Sequence, residues 1–182
     1  LYFMEYFAEG KRGILFLDKF QGKKVVIKKE KRGLGRIRNE AKWLRRLNKY
    51  KIGPKLIKAG ENHIVYEFIK GDFFIEVYRK LGKKKSKKIV KEILRQCRVL
   101  DKLKVNKFEM HNPKKHILVG KKIVMIDFER CKFTQKPKNV TQFCQYLLKF
   151  YSDVNKNKLR VLLRKYKENY DEKIFDQIVV LF

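Results

Sequence analysis

The run Ile123-Val124-Met125-Ile126 ends on Asp127 and continues as Phe128-Glu129-Arg130. Four consecutive apolar residues read as a buried strand, and this one terminates in a carboxylate. An unpaired Asp at the mouth of a buried strand costs several kcal/mol to desolvate or gives up its charge, so Asp127 needs a cation or backbone donors. A divalent metal and a helix N-terminus are the two partners that fit.

A chain of 182 residues holds one sizeable core or two small lobes sharing a cleft, and falls short of two full domains. No run approaches the roughly 18 apolar residues of a membrane span and no signal-peptide pattern opens the sequence, so the expectation is a soluble cytoplasmic protein without membrane contact. Leu1-Tyr2-Phe3 before Met4 reads as the remnant of a protease-cleavage tag, with the native start at Met4. Cys97, Cys131 and Cys144 are odd in number and form no CxxC pair, which argues against a disulfide framework and a structural zinc. A net charge of +29 attracts polyanions such as RNA, DNA or nucleotides. Lys-rich, Gln-poor composition suits a heat-stable surface equally well.

Glu9 to Gly13 is a two-glycine loop leading into the strand Ile14 to Leu17, and Gln21-Gly22 turns the chain into a second strand, Val25-Val26-Ile27-Lys28. Gly10 and Gly13 allow backbone N–H groups to face an anion, or simply make a turn. Lys28 shares a pleat face with Val26, so it snorkels or meets a buried anion. Residues 29–35 read as a mobile basic loop. A helix is expected over 36–50 on the stripe Ile37, Ala41, Leu44 and Leu47, with Glu40 beside it and in need of a cation or of neighbouring bases.

Residues 55–59 and 63–68 read as a hairpin, and Gly71 marks a change to helical pattern. Asp72 is the expected cap of a short helix to Leu81, residues 82–88 a basic loop, and Ile89, Ile93, Cys97, Leu100 and Leu103 the stripe of a long helix. A loop around Pro113 precedes a tight hairpin over 116–127. Asn139 with Gln142 resembles a capping box opening a helix to about residue 150, and two further helices carry Leu159 to Tyr166 and Ile174 to Phe182.

This order of elements resembles the protein-kinase-like superfamily over about residues 8–148. Val25-Val26-Ile27-Lys28 is similar to its third-strand lysine motif, Glu40 to its helix carboxylate, and Ile126-Asp127-Phe128 to its metal-binding turn, with Glu129 in place of glycine. The resemblance implies an α+β, two-lobed kinase-like fold: a β-rich N-lobe over 4–70 and a reduced, mostly helical C-lobe over 71–182. It implies ATP and Mg²⁺ as cofactors, with Lys28 on the α and β phosphates, Glu40 holding Lys28, and Asp127 on the metal. Gly10 and Gly13 would cover the phosphates, backbone groups of Glu67 and Phe68 would bind adenine, and Tyr66 would stand behind them.

His116 stands where the family has a metal-binding Asn; Asn112 is the alternative oxygen ligand, and Glu109 or His111 the catalytic base. Some 55 residues after Asp127 leave little room for an activation segment, so the chain is similar to small archaeal atypical kinases of the RIO and KEOPS-complex type. The expected activity is that of an atypical serine/threonine protein kinase or ATPase acting on a protein acceptor, itself or water, near an RNA or ribosomal partner. Arg36, Arg38, Lys83, Lys84, Lys85, Lys87 and Lys88 are candidates for phosphate contact. A pseudokinase scaffold, a basic RNA-binding protein and a small-molecule phosphotransferase are the alternatives.

Overall fold

The computed structural model describes residues 4–31, 33 and 35–182; the expected tag remnant, and Arg32 and Leu34 of the expected loop, lie outside them. The chain is mixed α+β and divides into two compact units, Leu1–Gly71 with Val124–Cys131, and Asp72–Ile123 with Lys132–Phe182. The return of residues 124–131 to the first unit departs from a linear two-lobe division. Its cause is a set of hydrogen bonds described with the site below.

In the first unit, β1 (Glu5–Glu9), β2 (Gly13–Phe20), β3 (Lys23–Glu30), β4 (Leu56–Ala59) and β5 (His63–Glu67) form an antiparallel sheet of order β1-β2-β3-β5-β4. The β2–β3 hairpin closes through Gln21 and Gly22, both at positive φ (49° and 73°), which suits the right-handed twist of the flanking strands. The strand β1 was not expected from the sequence. It lies at the edge, is largely exposed and carries a bulge between Tyr6 and Ala8, so its ladder to β2 defines it where an apolar pattern does not.

The helix α1 (Arg36–Leu47) buries Ile37, Glu40, Ala41, Trp43, Leu44 and Leu47, and a short 3₁₀ turn, Asn48–Tyr50, finishes it. Its first turn has no acid; the carboxylate of Glu30 accepts from the Arg36 N–H at 3.1 Å instead. Gly53 follows at φ 78°, where an added Cβ would stand 2.7 Å from Leu44 Cδ2 and 2.9 Å from Phe128 Cε2. Gly53→Ala combines a left-handed backbone with two core clashes, and is expected to lower the unfolding free energy by about 3 kcal/mol in a urea titration. A loss within about 0.5 kcal/mol would show that the core yields there.

The second unit begins with β6 (Gly71–Phe73) and the long helical segment α2 (Phe74–Lys102), broken at Gly82 by φ 73° and ψ 176°. The lysine run 83–88 is therefore helical rather than a loop, because Ser86, Val90, Ile93, Leu94, Cys97 and Leu100 keep one face of the segment buried. Asp72 does not cap it: Phe73 precedes the first turn, no side chain caps it, and Asp72 pairs with Lys80. After α2 come β7 (Val105–Asn106), a 3₁₀ turn (Phe108–His111), and the short strands β8 (Ile117–Gly120) and β9 (Ile123–Met125). Ile126 and Asp127 thus lie past the strand end. The strand β10 (Lys132–Phe133) pairs with β7.

Helices α3 (Asn139–Leu147), α4 (Lys156–Asn169) and α5 (Glu172–Val180) complete the unit; α4 buries Leu159, Leu162, Leu163 and Tyr166 as expected, and α5 buries Phe175, Ile178 and Val179 while Ile174 is only half-buried. Asn139 is not the cap of α3. Its amide N–H and side-chain NH₂ donate to Asp101 Oδ1 at 2.9 and 2.7 Å, while Val140 N and Tyr166 Oη donate to Asp101 Oδ2, each at 3.2 Å. A fully buried carboxylate from α2 thus satisfies the N-terminus of α3 and supplies a full negative charge to its dipole. Asn139 in turn accepts from Lys107 N at 2.8 Å and donates to Val105 O at 2.7 Å, fixing the entry to the Phe108–His111 turn. Burial pushes the Asp101 carboxyl up to about 6 against the pull of its four donors.

Candidate functional site

Lys28 lies on β3, paired with Leu15 on one side and Ile64 on the other, with its side chain 12 % exposed. A lysine in the middle of a sheet is costly to bury unless anions meet it, and here three do. Its Nζ donates to Glu40 Oε2 at 2.7 Å and to Asp127 Oδ1 at 3.1 Å, and lies 3.6 Å from Glu129 Oε2. Burial opposes the ammonium, but Glu40 and then Asp127 outweigh it, so the Lys28 pKa stands well above that of an ordinary lysine. Glu40 is buried on the inner face of α1, and its carboxyl is raised by desolvation despite the Lys28 ammonium.

The turn that carries Asp127 and Glu129 is fastened to α1 along its backbone. Phe128 N donates to Glu40 Oε1 at 3.2 Å, Asn39 Nδ2 to Glu129 O at 2.9 Å and Cys131 O at 3.1 Å, and Trp43 Nε1 to Cys131 O at 2.8 Å. The Phe128 ring is fully buried below. Asp127 adopts φ 65°, a left-handed conformation that costs about 1 kcal/mol and that Asp tolerates better than most residues. Its side chain remains 32 % exposed, the accessible member of the group.

One carboxylate oxygen from each of Glu40, Asp127 and Glu129 lies within 4.8 Å of the others. Three hard oxygen donors beside a single shared ammonium suit Mg²⁺, which prefers oxygen and tolerates no soft ligand well. His116 is outside this group, whereas Glu129, noted in the sequence only as a departure from glycine, is part of it. Glu129 also receives Arg12 Nη1 at 2.9 Å and has Arg36 Nη1 at 3.9 Å. Arg36 is among the basic residues that the sequence offers for phosphate contact, whereas no pattern marks Arg12 as a site residue. Arg12 does stand between the two glycines of a loop next to the lysine strand, the one local hint.

Gly10 and Gly13 close a tight turn, Gly10 N donating to Gly13 O at 2.9 Å. A Cβ on Gly13 would lie 2.8 Å from Lys29 O and 3.7 Å from Lys28 Cε, so glycine is what lets this turn cross the lysine stem. Tyr66 on β5 stands beside the cluster, its phenol raised by burial and by Glu40, so it stays neutral. Of the backbone groups expected to meet adenine, Glu67 N donates to Lys55 O at 2.9 Å and Phe68 N to Lys24 O at 3.2 Å, so these two amides are paired within the first unit.

Glu109, His111, Asn112 and His116 belong to the second unit. Glu109 is buried with Lys107 Nζ 3.1 Å from its Oε2. The exposed His111 places Nδ1 2.7 Å from Phe108 O, so Nδ1 is the donor of that bond and Nε2 is the ring nitrogen left for another partner. Asn112 is exposed at the end of the 3₁₀ turn, its N–H donating to Glu109 O at 3.0 Å, and His116 N donates to Pro113 O at 3.0 Å.

Comparison with protein-family models and with curated proteins finds no match, so the functional reading rests on the site's geometry.

Proposed function

We propose that the chain is an atypical, two-lobed kinase-like phosphotransferase or ATPase whose first unit holds the phosphates of Mg-ATP. The observation that carries this reading is the Lys28 ammonium, shared at 2.7 Å by a helix carboxylate and at 3.1 Å by the carboxylate of a turn, with a third carboxylate at 3.6 Å. A structural ion pair needs one acid; this arrangement has oxygen to spare for a cation and an ammonium to spare for phosphate. Bound Mg²⁺ would neutralise phosphate charge during transfer. Lys28 binds the phosphate oxygens, Glu40 keeps its ammonium in place and charged, and the α1 hydrogen bonds hold Asp127 in position. The acceptor hydroxyl belongs to a protein Ser or Thr, to the chain itself or to water, and its proton goes to His111 Nε2 or to Glu109.

Trp43 is the single tryptophan and is bonded to the same turn, so its fluorescence reports binding directly. ATP titrated with Mg²⁺ is expected to bind, to lose about tenfold or more in affinity in Asp127→Asn, and to release γ-phosphate. His111→Ala and Glu109→Gln separate the two bases: the variant that loses about a hundredfold in turnover with ATP affinity intact names the base. Undiminished turnover in both overturns the acid–base assignment. Binding without turnover would leave a pseudokinase scaffold, and no binding removes the nucleotide reading. The charge of +29 supports a second reading, an RNA-binding protein, which predicts RNA affinity that falls steeply with salt and survives Lys28→Ala.

A further inference from the structure

Glu129 is a buried carboxylate that meets three cations among the described residues, Arg12 at 2.9 Å, Lys28 at 3.6 Å and Arg36 at 3.9 Å. Its backbone carbonyl is held by Asn39, so the side chain is presented to those cations by a fixed turn. Two of the three cations are partly exposed: Arg12 on the Gly10–Gly13 turn and Arg36 at the first residue of α1, with side chains 41 % and 34 % exposed. Glu129 itself is only 5 % exposed. Neither arginine is needed to compensate Glu40 or Asp127, which Lys28 already serves.

The charges set the consequence. Among the described residues, Arg12, Lys28 and Arg36 match Glu40, Asp127 and Glu129 one for one, so the closed cluster carries no positive charge in excess for an incoming polyphosphate. If the Glu129 side chain swings out, three cations face two carboxylates. Guanidinium groups recognise carboxylate and phosphate through the same paired oxygens, so a phosphate can take the place the carboxylate leaves.

Resting on the phosphotransferase reading, we infer that Arg12 and Arg36 are polyphosphate-binding residues and that Glu129 is an internal anion occupying their site, displaced when the phosphate chain of a nucleoside triphosphate enters. The carboxylate keeps the arginines gathered over Lys28 in the absence of ligand, and competition with it favours a highly charged triphosphate over weaker anions. No covalent step is involved; one anion exchanges for another.

The test is isothermal titration of the full chain with inorganic tripolyphosphate and with ATP, in EDTA and in Mg²⁺, on wild type, Glu129→Gln, Arg12→Ala and the double variant. In EDTA, Glu129→Gln is expected to tighten both probes by about tenfold and Arg12→Ala to weaken them by about tenfold. The double variant should return close to Arg12→Ala, because the gain operates through the freed arginine. Arg12 sits on an exposed turn, so that arm stands even if Glu129→Gln perturbs folding. Glu129→Gln binding no tighter than wild type, Arg12→Ala binding as well as wild type, or a loss in Glu129→Gln confined to Mg²⁺ would each overturn the inference. Failure of the nucleotide reading looks different: ATP binds no variant, while tripolyphosphate still tightens in Glu129→Gln.

Discussion

Lys28→Met is expected to lower the stability of the protein by about 3–5 kcal/mol, because removing one partner of a buried charge cluster leaves the others uncompensated. Glu40 suffers most. Its carboxyl, already raised by burial, loses the ammonium 2.7 Å away and rises further. A carboxyl whose folded pKa exceeds its unfolded value of about 4.3 stabilises the fold fully below that value, and the contribution disappears as pH climbs through the folded pKa. The variant is therefore weakest near about pH 8 and regains stability toward about pH 5, as Glu40 takes up a proton in the folded state. Adding Glu40→Gln should restore part of the loss at the higher pH. Urea unfolding at both pH values measures this, and an equal deficit at both would show that the cluster does not titrate as a unit.

Asp101→Ala is expected to cost about 3–5 kcal/mol at neutral pH, since it orphans Asn139 N, Val140 N and Tyr166 Oη in a buried setting and leaves Asn139 Nδ2 with Val105 O alone. Asp101→Asn isolates the charge. With the folded carboxyl at about 6, above its unfolded value, the stability that Asp101 contributes is complete below the unfolded value and lost as pH rises through about 6. Wild type should accordingly lose on the order of 3 kcal/mol from this group between about pH 4 and pH 8, a slope that Asp101→Asn removes. Parallel pH profiles of the two proteins would refute it. Because Asn139 also holds Lys107 N, loss of Asp101 should also disturb the entry to the Phe108–His111 turn.

Local patterns carried much of the architecture. Gln21-Gly22 between apolar runs is a hairpin wherever its flanking strands can twist, and the Ile37, Ala41, Leu44 and Leu47 stripe reads directly because a helix repeats its buried face within a few residues. The lysine run at 83–88 reads as a loop because its exposed positions hide the period; the buried Ser86 and Val90, continuing the face of α2, show that the helix goes on. Asn139 looked like a cap because caps favour Asn, yet a carboxylate from 38 residues earlier competes better for the same amides.

From its sequence alone, the chain determined the strand bearing Lys28, the helix with an inward-facing Glu40, and the carboxylate at Asp127, since burial, periodicity and the cost of desolvating charge act over short spans. Only the tertiary structure decided that these three meet, that Glu129 joins them, that Arg12 and Arg36 close on Glu129, and that the Glu67 and Phe68 amides are taken. The physical reason is distance along the chain: Lys28 and Asp127 are separated by 99 residues, and no local period encodes which charge will find which when sheet and helix pack.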